Sequence, residues 1–135
     1  MKTIENLEYA HIKHDEDNKF VEIQWKKVAN MSLEEYQNAL NIALDFQAKN
    51  PNTVDFYFSD IREQRILSPN YRKWFQEVAI KKALDNNLKA GVVIFDGNVF
   101  KKYYLNNIMG STKNLGLPFK FFNTREDALI WLKSL

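Results

Sequence analysis

The stretch Gly91-Val92-Val93-Ile94-Phe95 carries no charged or polar side chain. A strand with one solvent face alternates apolar and polar residues, whereas a strand covered on both faces reads as a continuous apolar run. The stretch therefore predicts a central parallel strand with helices on each side, which sets the class as α/β. Asp96-Gly97-Asn98 then turns the chain into a helix from about Val99 to Ile108. Gly110 through Gly116 reads as a polar loop. Leu117 to Phe122 reads as a last strand, which Pro118 confines to an edge or a strand start.

Working back from Gly91, Asp85-Asn86-Asn87 ends a helix that starts at Ser68-Pro69, a cap followed by a residue suited to the first helical position. Tyr71, Trp74, Phe75, Val78 and Ala79 are its apolar stripe. Val54 to Asp60 is another strand, joined to that helix by a loop through Arg62 and Arg65. Ser32 and Glu35 have capping-box spacing, and Met31 and Tyr36 stand where a hydrophobic staple would close. Leu33, Tyr36, Leu40, Ala43, Leu44 and Gln47 follow the helical period, with Gln47 the single polar member. Asn50-Pro51 stops that helix.

At the start of the chain, Val21, Ile23 and Trp25 alternate with Glu22, Gln24 and Lys26 in a strand from Phe20 to Lys26. A weaker strand from about Leu7 to Lys13 precedes it, joined through the charged turn His14 to Lys19, giving a hairpin. The closing helix begins with Thr124 as cap and Asp127 three residues on. Ala128, Trp131, Leu132 and Leu135 line one side of it. The expected order is ββαβαβαβα in a single domain over residues 1–135: a mixed, mostly parallel open sheet with helices packed on it.

The chain has 135 residues, 45% of them hydrophobic and 27% charged, a normal globular balance. It contains no cysteine, which excludes disulfides, thiolate metal sites and cysteine nucleophiles. Lys plus Arg number 19 against 17 acidic residues, and the lysine pairs Lys26-Lys27, Lys81-Lys82 and Lys101-Lys102 fall on three different elements. Nucleic-acid binders concentrate basic charge on one face, so no nucleic-acid partner is expected. No run approaches the length of a membrane span, and Met1 to Ala10 lacks an apolar stretch of signal-peptide length, so the expected compartment is the cytoplasm.

No catalytic motif, phosphate loop or metal-ligand spacing occurs, so no enzyme activity, cofactor or metal is expected. His11 and His14 lie three apart near a strand end, which points them to opposite faces. Ligands of open α/β sheets sit outside the carboxyl ends of the strands. Asp60 and Arg62 stand at one such end and Asp96, Gly97 and Asn98 at the next, so these five are the candidate binding residues. The ten Phe, six Tyr and three Trp read first as a bulky core and second as the lining of an apolar cavity.

Several segments together resemble the STAS domain superfamily, most closely its SpoIIAA-like branch of small bacterial proteins. They are Val21 to Lys26 before a capped helix, Ser59-Asp60-Ile61-Arg62 at a strand end, Ser68 followed by Trp74, Val92 to Phe100 with Asn98, and the closing Phe121 to Leu132. The resemblance spans nearly the whole chain. It implies a non-enzymatic regulatory or protein-interaction module with a kinase-like protein partner, switched by phosphorylation of a serine at about the place of Ser68. The family's switch lies in an Asp-Ser-x-Gly setting, and here the residues are Leu67-Ser68-Pro69-Asn70, without the acid or the glycine. The branch also resembles the CRAL-TRIO fold, which implies, as an alternative, binding of a small lipophilic ligand between helices and sheet. An exposed first strand would permit an edge-to-edge homodimer.

Overall fold

A computed structural model describes residues 1–135. Six strands form one sheet in chain order: β1 (Lys2–Asn6), β2 (Ala10–Asp15), β3 (Phe20–Trp25), β4 (Phe56–Asp60), β5 (Ala90–Ile94) and β6 (Phe119–Phe122). The pairings β1–β2 and β2–β3 are antiparallel, and the remaining three are parallel. The connections carry α1 (Leu33–Lys49), a composite helix, and α4 (Val99–Asn114), with α5 (Arg125–Lys133) closing the chain. The composite helix is α2 (Pro69–Trp74), a π-helical turn (Phe75–Ala79) and α3 (Ile80–Asp85). The mixed, mostly parallel open α/β sheet expected from the sequence is the observed architecture.

Two faces of the sheet bury different cores. On one, 23 buried residues from β2, β3, β5, β6, α1, the π turn, α3, α4 and the loops between them form the larger core, with Tyr71 and Trp74 of α2 partly buried against it. On the other, seven buried residues from β3, β4, β5 and α5 form a smaller core around Phe20 and Phe58. Most of the burial, and so most of the hydrophobic stabilisation, is on the first face. β5 is buried at all five positions, as its apolar run requires. The α1 capping box forms as expected: Ser32 Oγ accepts from the Glu35 amide and the Glu35 carboxylate accepts from the Ser32 amide.

Four local features differ from the sequence reading. The chain has one more strand, β1, so β2 is interior rather than an edge. Its sequence KTIEN has only one apolar residue, Ile4, and a polar edge strand carries no periodic signal. His14 lies within β2 and is buried, its ring nitrogen 2.9 Å from the Thr53 carbonyl, instead of sitting in the charged turn. α4 continues through Gly110 to Asn114, because Thr112 is buried and extends the stripe of Lys101, Tyr104, Leu105 and Ile108. Gly116, at φ +74°, marks the end. In α5 the buried residues are Ala128 and Leu132, while Trp131 lies half-buried against Phe122 and Leu135 is exposed.

Candidate functional site

The candidate residues at the ends of β4 and β5 lie on adjacent loops. Asp60 is buried, and its carboxylate accepts from the Arg62 amide, from Arg62 Nε at 3.0 Å and from a terminal guanidinium nitrogen at 2.8 Å. Arg62 itself is half exposed, and the Asp60 pairing raises its already high pKa. One loop further, Asp96 Oδ1 accepts from the Asn98 amide. Asn98 caps α4, its side-chain oxygen accepting from the amides of Phe100 and Lys101. Gly97, at φ +83°, occupies a left-handed conformation that glycine adopts without strain.

Lys101 joins the two loops. It is 2% exposed, and its Nζ donates to the Ile61 carbonyl at 2.9 Å and to Asp96 Oδ2 at 3.3 Å. Partial desolvation raises the Asp96 pKa, but the Asn98 amide and the Lys101 ammonium outweigh it and hold the carboxyl below its ordinary value. The sequence reading did not single out Lys101. Its signal was there, since Lys101 begins the stripe continued by Tyr104, Leu105 and Ile108. Every side-chain acceptor of Asp60, Asp96 and Asn98 is engaged within these loops.

The larger concavity lies one strand over, at the carboxyl ends of β3 and β4. A groove of about 510 Å³ runs between the β3–α1 loop, with Val28 and Met31, and the β4–α2 loop, with Gln64, Arg65 and Leu67. Ser68 stands on its rim, exposed, in the N-cap position of α2 with no hydrogen bond from its hydroxyl to the helix. Tyr71 closes one end, its hydroxyl donating to the Met31 carbonyl at 2.6 Å. Trp25, Gln64 and Leu67 line both this groove and a second, apolar cavity of about 80 Å³.

This inner cavity lies between the sheet and the helices of the first face. Its lining is apolar but for Ser59, Gln64, Arg72 and the hydroxyls of its tyrosines. Ser59 accepts from the Trp25 indole at 3.2 Å. Gly91 contributes no side chain there, and a Cβ at that position would stand 3.3 Å from the Phe119 ring. Phe75 and Ala79 of the π turn stand on the opposite wall. Such turns are frequent at functional sites because the widened backbone re-aims side chains.

Gln64 is buried, and neither its amide nitrogen nor its oxygen has a partner in the protein. The same holds for Arg72 Nε and the Tyr104 hydroxyl, which also border a third, outer cavity of about 130 Å³. The Arg72 guanidinium lies 4.8 Å from the centre of the Tyr104 ring. Burial pushes the Tyr104 hydroxyl up to about 12, against the opposing pull of the Arg72 cation and of the Leu67 amide, which does not reach hydrogen-bonding geometry with it. Loop position concealed Gln64 from any periodicity argument, and Arg72 is a charged residue beside the apolar stripe of Tyr71 and Trp74, so neither was singled out.

His11 and His14 face opposite sides of β2, and no group of three or more His, Asp or Glu side chains is placed to hold a metal ion. No helix is long and apolar enough to cross a membrane. On the sheet face beside α5, the buried Glu22 carboxylate is paired with Arg125 and with Lys13, the latter at 3.4 Å. The Arg125 guanidinium lies 4.8 Å from the centre of the Phe58 ring, which fastens the start of α5 to the second core.

No protein-family model and no curated protein matches the chain. Among solved structures, it is similar to an uncharacterized protein from the DUF3478 family with a SpoIIAA-like fold, from Shewanella loihica PV-4. The match has a TM-score of 0.61 and 23% identity, over 95% of this chain and 97% of the other. The fold is thus SpoIIAA-like, as the resemblance of the strand and helix segments implied.

Proposed function

We propose that this chain is a non-enzymatic, cytoplasmic binding module that takes up a small amphipathic ligand at the carboxyl ends of β3 and β4. The observation that carries the reading is the pairing of an open groove of about 510 Å³ with an apolar inner cavity of about 80 Å³, with Trp25, Gln64 and Leu67 lining both. Ligand sites are concave, mostly apolar and supplied with a few convergent polar groups. The groove has that mixture, and the cavity offers an apolar tail a place out of water. The resemblance to the CRAL-TRIO fold supports the same location, between helices and sheet.

The test is a titration of the isotope-labelled protein with straight-chain alcohols from butanol to dodecanol. Methyl signals of Leu40, Leu105 and Ile108, which line the cavity, should shift with a clear optimum in chain length. Unchanged methyl signals across the whole series would remove the ligand reading.

A second reading, a regulatory module of the STAS type with a protein partner, is favoured by one surface. Val99, Phe100 and Tyr103 are each at least 65% exposed on the first turns of α4, an apolar cluster that a partner would cover. The exposed Ser68 would be its switch. Intact-mass analysis of protein from its native cells should then show a phosphorylated fraction, and Ser68 unmodified under every growth condition would dispose of the switch.

A further inference from the structure

Each side-chain polar atom that is buried without a partner belongs to a residue on the wall of the inner cavity: Gln64 Nε2 and Oε1, Arg72 Nε and the Tyr104 hydroxyl. Buried polar groups in folded proteins are nearly always paired, because an unpaired one forfeits its hydration with nothing in return. Orphans scattered over a molecule would mean little. Here they surround one cavity, while the other buried glutamine, Gln47, is fully bonded to Tyr57, Ala83 and Asn86.

The chemistry of the orphans selects a ligand. Arg72 brings a permanent positive charge and an Nε–H donor, Tyr104 an O–H donor and Gln64 an N–H donor. No carboxylate lines the cavity to offset that charge. The complement is an anion with several acceptor lone pairs and a planar head that suits a guanidinium. The apolar remainder fixes the tail. A cavity of about 80 Å³ is roughly half the volume known to hold benzene, which leaves room for a carboxylate with only one or two further carbons.

We infer that the inner cavity binds a short-chain carboxylate, its head accepting from Arg72, Tyr104 and Gln64 and its tail lying against Leu40 and Leu105. This rests on the ligand-binding reading above and adds the head group to it. The Gln64 oxygen then remains as an acceptor for a hydroxyl or amide donor next to the carboxylate. Phe75 of the π turn covers the tail.

The experiment compares propanoate, propanamide, propan-1-ol and propylamine by calorimetry and by methyl shifts of Leu40 and Leu105. Propanoate should bind about tenfold or more tighter than propan-1-ol, as a charge-assisted hydrogen bond implies, and propylamine should be the weakest. Arg72→Leu and Gln64→Leu should abolish the preference for propanoate over the alcohol. Tyr104→Phe, which changes no packing, should reduce that preference a few-fold and guards against misfolding of the Arg72 variant. Equal affinities for propanoate and propan-1-ol would overturn the carboxylate assignment and leave the ligand reading standing. Silence from all four probes would remove both. A crystal soaked in propanoate that shows only ordered water on the four orphaned atoms would also overturn it.

Discussion

The two buried glutamines make the instructive comparison. Gln47 lies on the buried face of α1, where it accepts from the Tyr57 hydroxyl at 2.6 Å and donates to the Ala83 and Asn86 carbonyls at 3.1 Å. Gln64 is buried almost as deeply in the β4–α2 loop, and both its polar atoms lack a partner in the protein. The same side chain thus closes a network in one region and leaves one open in the other. A satisfied amide ties α1 to the end of α3, whereas an unsatisfied one at the border of two cavities is available to something else. The paired loops of Asp60, Asp96 and Lys101 follow the pattern of Gln47, with charge in place of the amide.

The contrast is broken most severely at Gln47. Gln47→Leu should cost about 3 kcal/mol, because it orphans the Tyr57 hydroxyl and removes a donor from the Asn86 carbonyl and one of three from the Ala83 carbonyl. Urea denaturation at constant slope would measure it, and a loss near zero would mean the network is replaceable by water. Lys101→Met comes next. It should cost about 2 kcal/mol by removing the charge-assisted bonds to Asp96 and to the Ile61 carbonyl, which keeps the Gln64 backbone amide as a donor, seen as a fall in Tm of several degrees. A change within error would place the two loops outside the cooperative structure.

Gln64→Leu should have the opposite sign. Replacing two unpaired buried atoms with an apolar group of similar size should stabilise the ligand-free protein by about 1 kcal/mol. A loss of stability would show that Gln64 is held as firmly as Gln47 and would erase the distinction.

The smallest effect concerns pH. The folded-state pKa of Asp96 lies below its ordinary value, so its contribution to stability is present above that ordinary carboxylate value. It is lost as pH falls through the folded-state pKa. Asp96→Asn should therefore flatten part of the decline in Tm between about pH 5 and pH 2, and parallel curves for the two proteins would show that the Lys101 contact contributes nothing measurable.

Much of the fold was legible because its signals are local. The α1 capping box involves residues three apart, and the two-sided burial of β5 follows from five consecutive apolar side chains. The strand β1 escaped notice for the same reason: a polar edge strand is defined by its partner β2, not by its own pattern. The sequence also placed Asp60, Arg62, Asp96, Gly97 and Asn98 at strand ends, where they are found. It offered no sign that their acceptors are engaged within the loops or that the larger groove opens one strand away.

By itself, then, the sequence determined the α/β class, the capped helices, the central strand and a set of polar residues at the carboxyl edge. The tertiary structure alone decided which of those polar groups are satisfied. The bond from Gln47 to Ala83 spans 36 residues and that from Lys101 to Ile61 spans 40. Whether a buried amide finds a partner at such a distance depends on where packing brings the chain back. Helical and strand periods act over a few residues and carry no information on that return.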